Sequence, residues 1–242
     1  TSLSTEVGQR FTSQDGREFV LVANGAVALA SGVLVQAPAI VAGHQTLAMT
    51  VPSTAPATAG TFTILVTNGA TVINENYYAG GYAIIKDGTG IGQTLRIKSH
   101  PGAAASATCL ITLEDAIVTT LDATSIVNLI ANPYSGSIIA PTTATANVIG
   151  VTLYPLAAST APTWNATTGV KTADGVQQYG FLQTKGIVSC LSDANVATVG
   201  LGLMRSTTTA GTVAVRTATG ADVGIALQTT ISAKAGAIQI DL

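Results

Sequence analysis

The chain holds two histidines, His44 in Ala42-Gly-His-Gln45 and His100 in Ser99-His-Pro-Gly102. A serine-type triad needs a nucleophile presented on a strained turn beside such a base. No Gly-x-Ser-x-Gly segment supplies one, so both histidines read as exposed polar residues of turns. Glu114-Asp115 is the one adjacent carboxylate pair. Paired acids can hydrolyse glycosides or hold calcium, but the next acid is Asp122 and calcium-loop spacing is absent. The pair reads as a solvated strand end. Cys109 and Cys190 lie inside apolar runs and read as two buried free thiols, since cysteine behaves as a small hydrophobe. A disulfide between them stays open, because sequence does not show proximity. A metal site has no support, because no second Cys or His stands at ligand spacing.

Asp87-Gly-Thr-Gly-Ile-Gly92 has the composition of a phosphate-binding loop. Such a loop should open a helix whose N-terminus meets the phosphate. Here it runs into Thr94-Leu-Arg-Ile-Lys98, which alternates like a strand, so a hairpin loop is expected. Asn165-Ala-Thr167 matches a glycosylation acceptor, which means little without a secretory signal. Tyr77, Tyr78, Tyr82, Tyr134, Tyr154 and Tyr179 mostly stand beside Gly or Pro. They read as strand-end plugs whose hydroxyls reach solvent or a neighbouring chain. On these grounds no residue is assigned a catalytic, cofactor-binding or metal-binding role.

The elements that would position these residues are short and apolar. Hydrophobic residues make up 47% of the chain and charged residues only 9%, against roughly a quarter charged in ordinary soluble domains. The ten Lys and Arg are scattered and the net charge is −2, which gives no basic stripe for duplex nucleic acid. No apolar run reaches the ~18 residues of a membrane helix. The opening Thr1-Ser-Leu-Ser-Thr-Glu6 lacks a basic region followed by an apolar one, so no signal peptide is expected.

Strand-sized runs such as Phe62-Thr-Ile-Leu-Val66 and Ala107-Thr-Cys-Leu-Ile-Thr-Leu113 recur between Gly and Asn-Gly or Asp-Gly turns. Asn24-Gly25, Asn68-Gly69 and Asp87-Gly88 each read as a hairpin turn. Gln45–Val51 reads as a strand. Leu113–Val127 has room for one short helical turn, against which its Thr and β-branched residues weigh. The pattern predicts an all-β protein: a sandwich or barrel N-terminal part, followed by a small β-barrel-like C-terminal domain. The Thr-rich Pro141–Ala146 segment places a boundary that divides the chain into 1–143 and 144–242, with 1–60 as a candidate lattice-binding arm. Beyond it, Val148-Ile-Gly150-Val-Thr-Leu153, Val199-Gly200-Leu-Gly-Leu203 and Val223-Gly224-Ile-Ala-Leu227 echo one another. Glycine inside a strand marks a bulge, a bend or a close backbone approach. Gly169, in a Thr-rich loop, is the contrasting position expected to tolerate alanine unless its φ is positive.

Gly80-Gly-Tyr-Ala-Ile-Ile-Lys-Asp-Gly88, Ile91-Gly-Gln-Thr-Leu-Arg-Ile-Lys98, Asn132-Pro-Tyr134 and Tyr179-Gly-Phe-Leu-Gln-Thr-Lys-Gly186 together resemble the capsid decoration, or cement, proteins of tailed-bacteriophage heads. The Val-Gly-Ile-Ala-Leu227 segment adds to the likeness, which runs over residues 60–242; Thr1–Gly60 has no counterpart. The resemblance implies a β-rich virion protein, often a homotrimer, clamped onto the lattice of the major capsid protein. It would act without enzymatic activity and assemble in the host cytoplasm on the capsid surface. Low charge limits repulsion among closely placed copies, and obligate contacts are more apolar than transient ones. A fibre or carbohydrate-binding appendage module is the alternative, for which Trp164 beside Asn165 is the one hint. No nucleic acid, membrane or cofactor is expected as a partner, and a glycan hydrolase lacks its paired acids.

Overall fold

The computed structural model describes residues 6–45, 49–193, 196, 198–217, 220–231 and 233–242. In chain order the strands are β1 (Arg10–Thr12), β2 (Glu18–Asn24), β3 (Leu34–Gln36), β4 (Met49–Thr50), β5 (Thr63–Thr67), β6 (Tyr82–Asp87), β7 (Thr94–Ser99), β8 (Thr108–Leu113) and β9 (Ile126–Ile130). They continue as β10 (Ser135–Ile139), β11 (Val148–Thr152), β12 (Thr163–Trp164), β13 (Lys171–Ala173), β14 (Tyr179–Leu191), β15 (Gly202–Arg205), β16 (Val213–Val215), β17 (Gly224–Ala226) and β18 (Ala235–Asp241). The one helix among the described residues is the single turn α1 (Ala42–Gln45). Leu113–Val127 forms none. The fold is therefore all-β, as the short Val- and Thr-rich runs require. Of the expected strand Gln45–Val51, Met49 and Thr50 form β4, Gln45 ends α1, and residues 46–48 lie outside the described residues, as do Thr1–Thr5.

The chain does not divide at residue 143. One compact unit gathers Thr1–Ala39, Pro133–Ala161 and Val176–Leu242; the other gathers Ile40–Asn132 and Pro162–Gly175. The reason is strand pairing. β2 finds its partners in β10 and β14, so the first residues belong with the last, and Val20 and Val22 are core residues rather than part of an arm.

The second unit is a closed barrel in the order β4-β5-β8-β7-β6-β9, antiparallel throughout. Alternate residues point inward with the two-residue period of a strand. Ile64, Val66, Ala83, Ile85, Leu95, Ile97, Cys109, Ile111, Val127 and Leu129 thereby fill one core. Closure leaves the barrel without a free edge. Register shifts between Ile85 and Asp87 and between Ile97 and Ser99 bend the wall. β12 and β13 pair as a separate ribbon.

The first unit is a ten-stranded sheet in the order β1-β2-β10-β3-β11-β14-β18-β17-β15-β16. An additional β2–β14 pairing turns β2-β10-β3-β11-β14 into a ring. β14 is 13 residues long. Its first half pairs with β2, from Tyr179↔Ala23 to Lys185↔Glu18, and its second with β18, from Lys185↔Asp241 to Leu191↔Ala235. β16 returns to the end of β14 through the parallel bridge Ser192↔Val213. Two cores result. Val20, Val22, Val33, Val35, Ile149 and Leu182 make one; Leu34, Val151, Val188, Cys190, Leu203, Val213, Ile238 and Ile240 make the other. β3 is covered on both faces, so Leu34 lies in one core and its neighbours in the other.

The three echoing glycines separate into two kinds. Gly150 sits at the β11–β3 register shift with φ +155, and a Cβ there would lie 2.7 Å from Leu182 Cβ and 2.9 Å from the Gln183 carbonyl. The shift explains how Ile149 and Val151, two residues apart, enter different cores. Gly224 opens β17, where a Cβ would lie 2.1 Å from the Gln239 carbonyl. Gly200 is a turn residue with φ +87 and open space where its Cβ would be. It precedes its strand and does not bend it.

Candidate functional site

The histidines are not where the sequence put them. Each is only 3% exposed. Ala42–Gln45 coils into a helical turn that lays the His44 ring against Tyr78, with Nδ1 2.6 Å from the Tyr78 hydroxyl and Nε2 3.2 Å from the Thr71 carbonyl. The His100 Nε2 accepts a hydrogen bond from the Tyr78 backbone N–H at 3.0 Å, and Nδ1 lies 2.9 Å from the Pro101 carbonyl. Burial pushes the pKa of both rings below that of an ordinary histidine and raises that of the Tyr78 hydroxyl. Tyr78 is thus an interior residue at 1% exposure, not a strand-end plug open to solvent. The rings' partners are backbone groups and a phenol that is itself buried, out of reach of a solvent-borne substrate.

The Asp87–Gly92 loop joins β6 to β7 as expected. Its Gly88, Gly90 and Gly92 take φ of 75, 80 and 90°, the left-handed conformations that glycine permits. Its amides are spent within the fold. Gly88 N–H donates to Asp87 Oδ1, Thr89 N–H to Thr124 Oγ1, and Ile91 and Gly92 N–H to the Gly88 and Ile85 carbonyls. These four are not left to cradle a phosphate. The Asn24-Gly25 and Asn68-Gly69 turns are not hairpins. β2 and β5 pair with distant strands, and neither Gly25 nor Gly69 has the positive φ that a tight hairpin turn uses.

Glu114 and Asp115 are exposed at the end of β8, as anticipated. Both are engaged by Arg96: Glu114 Oε2 lies 2.9 Å from its Nε, and Asp115 Oδ2 accepts its backbone N–H at 2.8 Å. The Asn165 side-chain Oδ1 accepts from the Thr167 and Thr168 backbone amides. Trp164 is half-buried, with a buried ring nitrogen. Cys109 and Cys190 are buried free thiols in separate units, pushed up to about 11 and about 12 by burial. No three or more of His, Cys, Asp and Glu among the described residues gather as a metal site would require.

What the fold does assemble is an apolar surface. On the first unit, Phe11, Phe19, Leu153, Tyr154, Leu156, Gly180 and Phe181 line a groove of about 400 Å³. Alternation along β2 and β14 sends Val20, Val22 and Leu182 into the core and leaves Phe19 and Phe181 on the other face. Phe11 pairs with Phe19 across β1–β2 and meets Phe181 edge-on, ring centres 5.3 Å apart at 87°. Gly180 leaves room for Leu156, whose Cδ2 would otherwise lie 2.1 Å from a Cβ. Tyr154 is 76% exposed and Phe181 46%, so their faces are available to a partner.

The charges beside this groove cancel locally. Glu18 lies 3.7 Å from both Arg10 and Lys185, and Asp15 lies 2.6 Å from Arg17. On the barrel's outer wall Tyr82 stands opposite Ile130 and Leu65 opposite Leu110, with Tyr82, Ile130 and Leu110 all exposed. No local pattern announces the groove, because its residues come from four separate segments that only strand register brings together. Comparison of the chain with protein-family models, with curated proteins and with solved structures finds no match.

Proposed function

We propose that the chain is a structural virion protein that coats the outside of a tailed-phage head. It associates as a homotrimer and binds the major capsid protein lattice without carrying out catalysis. The observation that carries this reading is the exposed aromatic groove on a chain with so few charges. A side chain such as Tyr154 or Phe181 contributes up to about 1.5–3 kcal/mol when fully covered, and large exposed apolar patches mark association sites. The locally neutralised ion pairs let copies stand side by side without repulsion. A protein that binds only the assembled shell stabilises it by mass action.

The test is to add the chain to empty heads built from the major capsid protein and to map the particles. Density on the outer surface, and its loss in a Tyr154→Lys/Phe181→Lys double variant that still folds, is the expected outcome. A chain that stays a 24.2 kDa monomer and leaves the heads bare overturns the proposal. Binding to a glycan array by such a chain would favour an appendage module instead.

A further inference from the structure

The His44–Tyr78–His100 cluster is a set of interior hydrogen bonds whose proton positions are fixed by their partners. The His100 Nε2 faces the Tyr78 N–H, a donor that cannot become an acceptor, at 3.0 Å. That nitrogen must therefore be unprotonated, and the ring proton sits on Nδ1, toward the Pro101 carbonyl at 2.9 Å. The His44 Nε2 faces the Thr71 carbonyl at 3.2 Å, so it carries the proton, and Nδ1 accepts from the Tyr78 hydroxyl at 2.6 Å. The partners hold His100 neutral; at His44 the Tyr78 hydroxyl can accept as well as donate, so there it is burial that resists the charge. A proton added to His100 would set two N–H groups against each other inside the barrel's end and strip the Tyr78 amide of its acceptor. An unsatisfied buried donor is costly.

The surroundings offer little to absorb such a charge. Facing the cluster are Tyr77 and Tyr78 from the 74–81 turn, Cys109 from β8, whose Sγ–H lies 3.6 Å from the Pro101 carbonyl, and Glu75. Among the described residues Glu75 is the one anion acting on His100, and its Oε2 is already engaged by the Lys171 backbone N–H at 3.1 Å. Burial outweighs its attraction and keeps His100 neutral. The 74–81 turn is held to the end of β7 largely through this cluster: Asn76 N–H to the His100 carbonyl, His100 N–H to Asn76 Oδ1, Tyr78 N–H to the ring, and Gly80 N–H to the Ile97 carbonyl.

We infer that the cluster is a proton-operated latch, closed at neutral pH, which releases the 74–81 turn from the barrel when His100, and with it His44, takes up a proton. The sign follows from where the protons go. In the released state the rings titrate as ordinary histidines near 6.5. In the closed state they resist protonation, so lowering the pH below that value favours release. Between pH 7.5 and 5.0 a histidine that stays neutral in the closed state shifts the equilibrium by at most about thirtyfold, and two together by at most about a thousandfold.

Amide hydrogen exchange on the full chain at pH 7.5 and 5.0, with rates corrected for intrinsic exchange, reads this directly. Protection across 74–81 should fall, by up to about a thousandfold, while the β5–β8 amides hold theirs. His100→Gln keeps an acceptor near the Nε2 position but does not titrate, and should flatten most of the dependence; His44→Asn should remove the remainder. If those variants fail to fold, nitrogen NMR of the wild-type imidazoles decides. Rings that hold the opposite tautomers, or that become protonated while 74–81 keeps its protection, overturn the latch. Equal loss of protection in every strand of the barrel overturns it as well.

Discussion

Adding a single methyl group separates the glycines by what surrounds them. At Gly224 the new Cβ would sit 2.1 Å from the Gln239 carbonyl, a backbone atom that no rotamer change can move aside. β17 would have to lift from β18, to which Gly224 is paired through Ile240, so Gly224→Ala should cost about 1–3 kcal/mol, toward the upper end of that range. Gly150 meets Leu182 and Gln183 and also holds φ +155; the clash and the backbone strain together should cost about 2–6 kcal/mol. Gly200 has open space and φ +87, so alanine should cost only about 1–2 kcal/mol and asparagine less, since asparagine tolerates the left-handed region. Gly169 falls under the exception that a positive φ makes to its expected tolerance of alanine. It has φ +70 and a Cβ position 2.0 Å from the Ile73 carbonyl, so alanine should not be neutral there and should cost about 2–5 kcal/mol. Urea unfolding is the assay. Trp164 fluorescence follows the barrel unit, and thiol labelling at Cys190 follows the other. Gly200→Ala costing as much as Gly224→Ala, or Gly169→Ala lying within about 0.5 kcal/mol of wild type, the usual range of an indifferent surface change, would refute these assignments.

Two further outcomes are expected. With Cys109 pushed up to about 11 and Cys190 to about 12, both thiols should ignore a disulfide reagent at pH 8 and react only once urea opens their unit; rapid labelling of the native protein would contradict this. Gln93 Oε1 accepts the Val118 and Thr119 amides at 2.8 and 3.0 Å, while its Nε2 donates to the Gly90 and Thr119 carbonyls. Gln93→Ala should therefore cost about 1–3 kcal/mol in the barrel's urea transition, and an unchanged midpoint would show the clamp to be idle.

What was legible in the sequence is what strands write locally. Thr94–Ser99 alternates in sequence and in burial, Thr63–Thr67 is a strand-sized apolar run whose burial alternates, and Asp87-Gly88 begins a true hairpin connection. The all-β class follows from such pieces. Pairing over distance was not legible. Phe19–Val22 and Gly180–Gln183 are neighbours, yet nothing in either segment names the other, so the cut at 143 fell across one sheet. The histidines show the same limit. His44 lies 34 positions from the Tyr78 whose hydroxyl it receives, and an imidazole in a Gly-flanked turn looks solvent-exposed until its partner is known. For Gly169, polar neighbours in sequence concealed a backbone carbonyl brought in by the fold.

The barrel formed within Ile40–Asn132 interrupts the sheet of the first unit, and this has a consequence for the cost of joining distant strands. β3 pairs with β10 through Gln36↔Ile138, which in an open chain means closing a loop of roughly a hundred residues. Inside the inserted barrel, Met49 already lies opposite Val127. Once that rung exists, the slack between β3 and β10 shrinks to about two dozen residues, which removes about 1 kcal/mol of chain-closure entropy from the later step. The barrel strands end at Ile130, whereas β14 and β18 lie beyond residue 178. During synthesis from the N-terminus the insert can therefore close first, gathering the ends of the interrupted sheet before its last strands have been made.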